Sequence, residues 1–185
     1  MKRFAAAALL ALASLSAHAE LIVNGNFESG NFNGWTKSGN TNLSDVISNA
    51  ITSNHTYVWR SGATGSLAYI SQDVVTVAGN TYSFAFDVYN SATSNSIFEA
   101  YFDGVMVAGF TNTVHNWTHF QIDNLVAGDA LTTIKFGARN DPNYIRLDNV
   151  SLVEVDAPVG VPEPASIAIM LGGLGLLAAA RRRKA

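Results

Sequence analysis

Three groups of residues in this 185-residue chain have types and spacings that could do chemistry. Asp148 lies in an alternating run and shares parity with Val150 and Leu152. If those two face a core, its carboxylate points inward as well, and a buried carboxylate is costly unless hydrogen-bonded or paired with a metal. Tyr101 sits between Glu99 and Asp103, and Trp117 is in strand register with His119 and Gln121. An aromatic platform flanked by amide, carboxylate and imidazole groups suits sugar recognition: the ring stacks on the C–H face of a pyranose while the polar groups take the hydroxyls. The competing reading is that these rings merely cover a sheet. Trp35, Tyr57 and Trp59 are rivals for the same role, with core or loop anchoring the plainer expectation. The third group fails on geometry. His115 and His119 have the i, i+4 spacing of helical zinc ligands, but in a strand that spacing separates them by roughly 13 Å. Glu99 and Asp103 resemble a glycosidase carboxylate pair, yet they flank a hairpin turn. The chain has no Gly-x-Ser-x-Gly elbow, phosphate loop or dinucleotide fingerprint.

The elements that must position these side chains are strands. Tyr82, Phe84, Phe86 and Val88 alternate with Ser83, Ala85, Asp87 and Tyr89, and Phe98, Ala100 and Phe102 alternate with Glu99 and Tyr101. Asp103-Gly104 predicts a type I′ turn into Val105–Phe110. Trp117–Ile122, Leu131–Ala138 and Tyr144–Val155 continue the pattern, and Leu21–Val23, Thr56–Trp59 and Leu67–Val75 precede it. Turn signals fall at Val77-Ala78-Gly79-Asn80 and Ala127-Gly128-Asp129. No segment between the ends sustains a 3.6-residue period. About eight to ten short strands predict an all-β fold, an antiparallel β-sandwich or jelly roll, over residues 20–155. If the aromatic-rich parity is core, the other parity presents Asp87, Tyr89, Glu99, Tyr101, Trp117, His119, Gln121 and Lys135.

Composition divides the chain into three materials. Residues 1–19 hold fourteen apolar residues and residues 165–180 hold twelve; the other 150 positions hold 63, or 42%. The formal net charge is −3, but residues 20–161 carry five Lys+Arg against thirteen Asp+Glu, a net of −8. An acidic domain without a basic patch excludes nucleic-acid binding. Zero cysteine excludes disulfide scaffolds, thiolate catalysis and cysteine-based zinc sites. Bulk charge also disfavours anionic polymers, so an acidic polysaccharide would need local groups or a bridging cation.

The ends read as addresses. Lys2-Arg3, the apolar run Phe4–Leu15 and Ala17-His18-Ala19 form a secretory signal peptide over 1–19. A Pro-containing linker spans 156–164, and 165–185 comprises sixteen uncharged residues followed by Arg181-Arg182-Arg183-Lys184. A sixteen-residue helix is about 24 Å long, short for a hydrocarbon core of about 30 Å. Its basic end stays cytoplasmic by the positive-inside rule, which points the domain away from the cytoplasm. The order Val161-Pro162-Glu163-Pro164, Gly-rich apolar helix, Arg181 to Lys184 resembles the PEP-CTERM sorting tail of exported bacterial proteins. The resemblance implies recognition by an exosortase, a transient stay in the inner membrane through a short transmembrane sorting helix, and export in a Gram-negative bacterium that makes exopolysaccharide or biofilm. The destination is periplasm, cell surface or extracellular matrix.

A second resemblance concerns the middle. Asn24-Gly25-Asn26-Phe27-Glu28 with Gly34-Trp35, then Ser71-Gln72-Asp73 and Ala78 to Phe84, then Ile145-Arg146-Leu147-Asp148-Asn149-Val150-Ser151-Leu152 resemble the opening, middle and closing segments of jelly-roll carbohydrate-binding modules of the galactose-binding-like fold. That family implies a structural Ca2+ site, with Glu28 and Asp148 as the matching carboxylates and backbone carbonyls around Asn24 and Asn26. The alternative is that Asp148 hydrogen-bonds the Asn24–Glu28 turn without metal. The expected function is a non-catalytic exported surface or matrix protein that associates with exopolysaccharide, its sugar contacts drawn from Tyr101, Trp117, His119 and Gln121. The alternative is a small exported glycoside-active hydrolase on the same scaffold.

Overall fold

Period-two alternation becomes strand through most of the domain, which holds ten strands among the described residues. A computed structural model describes residues 19–49 and 55–155. The strands are β1 (Thr36–Gly39), β2 (Ser44–Ser48), β3 (Tyr57–Ser61), β4 (Ala68–Val75), β5 (Thr81–Asn90), β6 (Ser96–Phe102), β7 (Val105–Thr111), β8 (His115–Val126), β9 (Leu131–Asn140) and β10 (Ile145–Val155). They form two five-stranded sheets, ordered β1-β4-β9-β6-β7 and β2-β3-β10-β5-β8, with every pairing antiparallel. The fold is an all-β two-sheet sandwich, as the alternation predicts. The expected signal peptide, linker, sorting motif (Val161 to Pro164, Arg181 to Arg183) and C-terminal helix lie outside the described residues.

One parity of β4, β5, β6, β9 and β10 fills the space between the sheets. Phe136 of β9 touches Trp35, Phe84, Phe86 and Phe98, with ring centroids 5.1 to 6.2 Å apart. Phe86 adds Phe120 at 5.4 Å. Trp35 and Trp59 are buried core residues, and the Trp59 indole donates to Ser44 Oγ at 2.8 Å. These tilted and edge contacts add about 0.5–1.5 kcal/mol per pair beyond the area buried.

The Asn24–Glu28 segment is a docked turn. Gly25 accepts the Val150 N–H at 2.9 Å, and a Cβ on Gly25 would stand 1.9 Å from the Val150 carbonyl oxygen. Only glycine allows this approach. Phe27, at φ 53°, is fully buried and stacks on Trp35. Leu21–Val23, expected as a strand, is not one: it follows an isolated bridge between Glu20 and Val153 and is clamped by the side-chain amide of Gln72, which accepts from Val23 N–H and donates to Val23 C=O. The Asp103-Gly104 turn has φ of 50° and 78°, the two left-handed values a type I′ turn requires.

Asp148 corrects the parity argument. Between Asp148 and Ser151 the β10–β5 register shifts, and Asn149 takes φ 50°. This β-bulge inserts a residue, so Leu147 and Leu152 both face the core while Asp148 pairs with outward-facing Asp87. Asp148 is nevertheless buried, at 1% exposure, because it is covered on the outer side of the sheet.

Candidate functional site

The outward parity builds two unrelated surfaces, one per sheet. On the β1-β4-β9-β6-β7 sheet, cross-strand registry places Ser38, Tyr69, Gly137, Glu99 and Gly109 in one row across all five strands. The neighbouring row is Thr36, Ser71, Lys135, Tyr101 and Met106. Five strands span about 19 Å in this direction. Gly137 lets the Tyr69 ring lie across β9, since a Cβ there would meet Tyr69 Cε1 at 2.6 Å. The Tyr101 hydroxyl donates to Glu99 Oε2 at 2.7 Å. Lys135 Nζ sits between the two rings, 4.3 Å from the Tyr101 centroid and 5.3 Å from that of Tyr69. A cleft of about 240 Å³ continues from Glu99 along β6–β7, past Met106, Gly109 and Phe110.

The electrostatics keep both phenols protonated. The Tyr101 hydroxyl is pushed up to about 12, first by its hydrogen bond to Glu99 and then by burial. Burial and the Glu99 charge raise Tyr69 as well. Two neutral phenols, a carboxylate and an ammonium thus share one face, which offers donors, acceptors and ring surface together.

The other sheet carries a different constellation. Asp148 and Asp87 are register partners, and Asp87 pairs with His119. His55 Nδ1 lies 2.8 Å from Asp148 Oδ2, His119 Nδ1 lies 2.7 Å from Asp87 Oδ1, and Asn149 Nδ2 donates to Asp87 Oδ2 at 2.8 Å. The His55 ring stacks on Trp117 at 3.7 Å between centroids, 13° from parallel. Burial raises the Asp148 carboxyl to about 6, against the lowering effect of its His55 hydrogen bond. His115, 4.3 Å from the Phe110 ring centroid, has its pKa lowered by burial and belongs to neither group.

The four residues expected to share a sugar are therefore not brought together. Tyr101 stands on β6 of one sheet, whereas Trp117, His119 and Gln121 stand on β8 of the other. Trp117 has one ring face occupied by His55 and lies 5.8 Å from Tyr89, while Gln121 donates to Asp123. Tyr69 and Gly137 were missed; a glycine inside a strand signals a close approach, and Tyr69 has the outward parity of β4. The four residues expected around Ca2+ are engaged otherwise. The Asn24 carbonyl accepts from Phe27 N–H at 3.2 Å and from the Trp35 indole at 3.1 Å, the Asn24 and Asn26 side-chain oxygens accept from Ser29 and Glu28 N–H, and Glu28 Oε1 accepts from Tyr57 N–H. Asp148 holds His55 and the Asn149 N–H. Among the described residues, no group of three or more His, Cys, Asp or Glu is arranged to hold a metal.

Residues 19–136 match the model of the family described as carbohydrate binding domain. The chain belongs to that family. Residues 160–184 match the PEP-CTERM protein-sorting motif, which implies an exported, cell-surface bacterial protein. Among solved structures, this carbohydrate-binding domain resembles TmCBM61 in complex with beta-1,4-galactotriose, at 20% identity and a TM-score of 0.59 over 74% of this chain and 100% of the other. It also resembles the CBM22-1-GH10 modules of Clostridium thermocellum xylanase 10B complexed with xylohexaose, at 16% identity and TM-score 0.53, covering 78% of this chain and 30% of that one. The enzymatically active domain of a tailspike protein of bacteriophage CBA120 is similar at 20% identity and TM-score 0.54, over 74% of this chain and 21% of the other. At these identities the likeness speaks for the fold. No curated protein matches the chain.

Proposed function

We propose that this protein is an exported surface or matrix protein that holds glycan on the outer face of the β1-β4-β9-β6-β7 sheet without cleaving it. One observation carries the reading: Tyr69 and Tyr101 stand in adjacent rows of one solvent face, with Gly137 flattening the first and Glu99 and Lys135 between them. The rings supply stacking surface, and the phenols, carboxylate and ammonium supply hydroxyl partners. Family membership supports sugar as the ligand class, and the saccharide complexes of two structural neighbours point to neutral oligosaccharides. The sorting motif supports exosortase processing of the tail and a glycan met outside the cell, with the producer's exopolysaccharide as the natural target. The carboxylates a hydrolase would draw on serve other ends: Glu99 accepts from Tyr101, and Asp103 forms a hairpin turn.

The test is affinity electrophoresis of the full chain through gels containing neutral polysaccharides, including the producer's own. Retardation abolished by Tyr69→Ala with Tyr101→Ala supports the reading; migration unaffected by every glycan sinks it. For the tail, exosortase deletion should leave the unprocessed chain in the membrane fraction.

A further inference from the structure

The sheet opposite the proposed glycan face carries a row of charge and aromatic surface that the reading above does not use. Asp45 of β2 pairs with Arg60 of β3, Arg60 with Arg146 of β10, and Arg146 with Tyr89 of β5. Tyr89 in turn lies 5.8 Å from Trp117 of β8. Two guanidinium groups thus stand side by side in register, and like charges directly opposite each other destabilise a sheet unless something offsets them. Arg60 is provided for. Its Nε and Nη2 donate to the two Asp45 oxygens at 2.6 and 2.9 Å, and its guanidinium lies over the Tyr144 ring at 4.4 Å.

Arg146 is not. Among the described residues it has no carboxylate within salt-bridge distance, and its buried Nε has no hydrogen-bond partner. Its guanidinium lies 5.3 Å from the centroid of the Tyr89 ring. The other basic residues of the domain are placed differently: Arg139 reaches the Gly65 carbonyl and Asp141, Lys37 lies over Phe32, and Lys135 lies over Tyr101. Among the described residues, Arg146 is a half-buried cation that faces another cation and has no carboxylate within salt-bridge distance.

We propose that Arg146 and Arg60, flanked by Tyr89 and Tyr144, bind the carboxylate of an acidic sugar residue, giving this domain a second, acid-selective site on the opposite sheet. The planar guanidinium fork matches a carboxylate bidentately, as Arg60 already does with Asp45. An anion between the two arginines relieves their repulsion. The tyrosine rings beside them supply stacking surface for the pyranose that carries the acid. Burial lowers the Arg146 pKa, with Tyr89 acting against the shift and Arg60 adding to it. A domain of net charge −8 repels polyanions at a distance, so binding depends on this local pair rather than on bulk attraction.

The experiment titrates the full chain carrying Tyr69→Ala and Tyr101→Ala with an oligogalacturonide and with its carboxyl-reduced counterpart. Removing the first site makes failure of this proposal distinguishable from failure of the neutral-glycan reading. The expected result is saturable binding of the acid form only, at least tenfold weaker in Arg146→Gln and intermediate in Arg146→Lys. Arg146→Gln should melt no lower than its parent, because it removes an unpaired charge. As a measurement needing no variant at Arg146, its Nε–H NMR resonance should shift on addition of the acid oligosaccharide. Undiminished binding in Arg146→Gln, equal binding of acid and reduced forms, an unmoved Nε–H resonance, or displacement by inorganic phosphate at equal concentration each overturns the assignment.

Discussion

Asp148 stands directly opposite Asp87 across the β5–β10 ladder, and the His55 ring lies against both, with Nδ1 2.8 Å from Asp148 and Nε2 3.9 Å from Asp87. Facing carboxylates repel, and the arrangement persists because His55, His119 and Asn149 surround the pair. Burial leads the shift of Asp148 from 3.8 to about 6. A carboxyl raised in the folded state binds its proton more tightly there than in the unfolded chain. Its contribution to stability is therefore full below about pH 4 and lost as pH rises through about 6. Asp148→Asn has no proton to lose, so the variant should gain on the wild type across that window. Urea unfolding at successive pH values checks this, and parallel curves would contradict a buried, proton-favouring Asp148.

Because Asn24, Asn26, Glu28 and Asp148 are held by backbone N–H groups and His55, a chelator should leave the thermal midpoint unchanged. A drop of several degrees, restored by Ca2+, would show that these oxygens serve a metal after all.

Gly137→Ala should separate binding from stability. The added Cβ would meet the Tyr69 ring at 2.6 Å and lift it off β9, while the backbone there needs no glycine-only conformation. Glycan affinity should fall about tenfold, equivalent to about 1.4 kcal/mol, while unfolding changes by about 0.5 kcal/mol or less. Calorimetric titration and a melt of the same sample read both quantities.

Phe136→Ala removes the ring that touches Trp35, Phe84, Phe86 and Phe98 and joins the two sheets. A loss of about 3–5 kcal/mol in chemical denaturation is expected. A loss under 1 kcal/mol would mean that the core repacks around the gap.

Strand alternation made most of the sandwich legible, because burial of one face imposes period two on β4, β5, β6, β9 and β10. The strands it missed, β1 and β2, are short and polar; Thr36–Gly39 is exposed throughout and leaves no pattern to read. Parity separates inward from outward but says nothing about which sheet a strand joins. That is why Tyr101 and Trp117 looked like partners although long-range pairing sets them on opposite sheets. Asp148 was misdirected by a single bulge residue, Asn149 at φ 50°, since one inserted residue inverts every parity beyond it. The abundance of asparagine has a local cause: Asn24, Asn95, Asn112, Asn124 and Asn149 take left-handed φ values at turns and irregularities. Asn90 and Asn140 depart from that rule, being fully buried and hydrogen-bonded to each other at 2.9 Å.

On the proposed function, sugar is held by the tyrosine face and not by Trp117. The most direct test is a calorimetric titration of the tightest-binding neutral oligosaccharide against the full chain, the Tyr69→Ala with Tyr101→Ala variant, and Trp117→Ala. Saturable binding by the wild type is expected, with a loss of at least tenfold in the tyrosine variant and affinity within about twofold of wild type for Trp117→Ala. Binding lost in Trp117→Ala and kept in the tyrosine variant would contradict this.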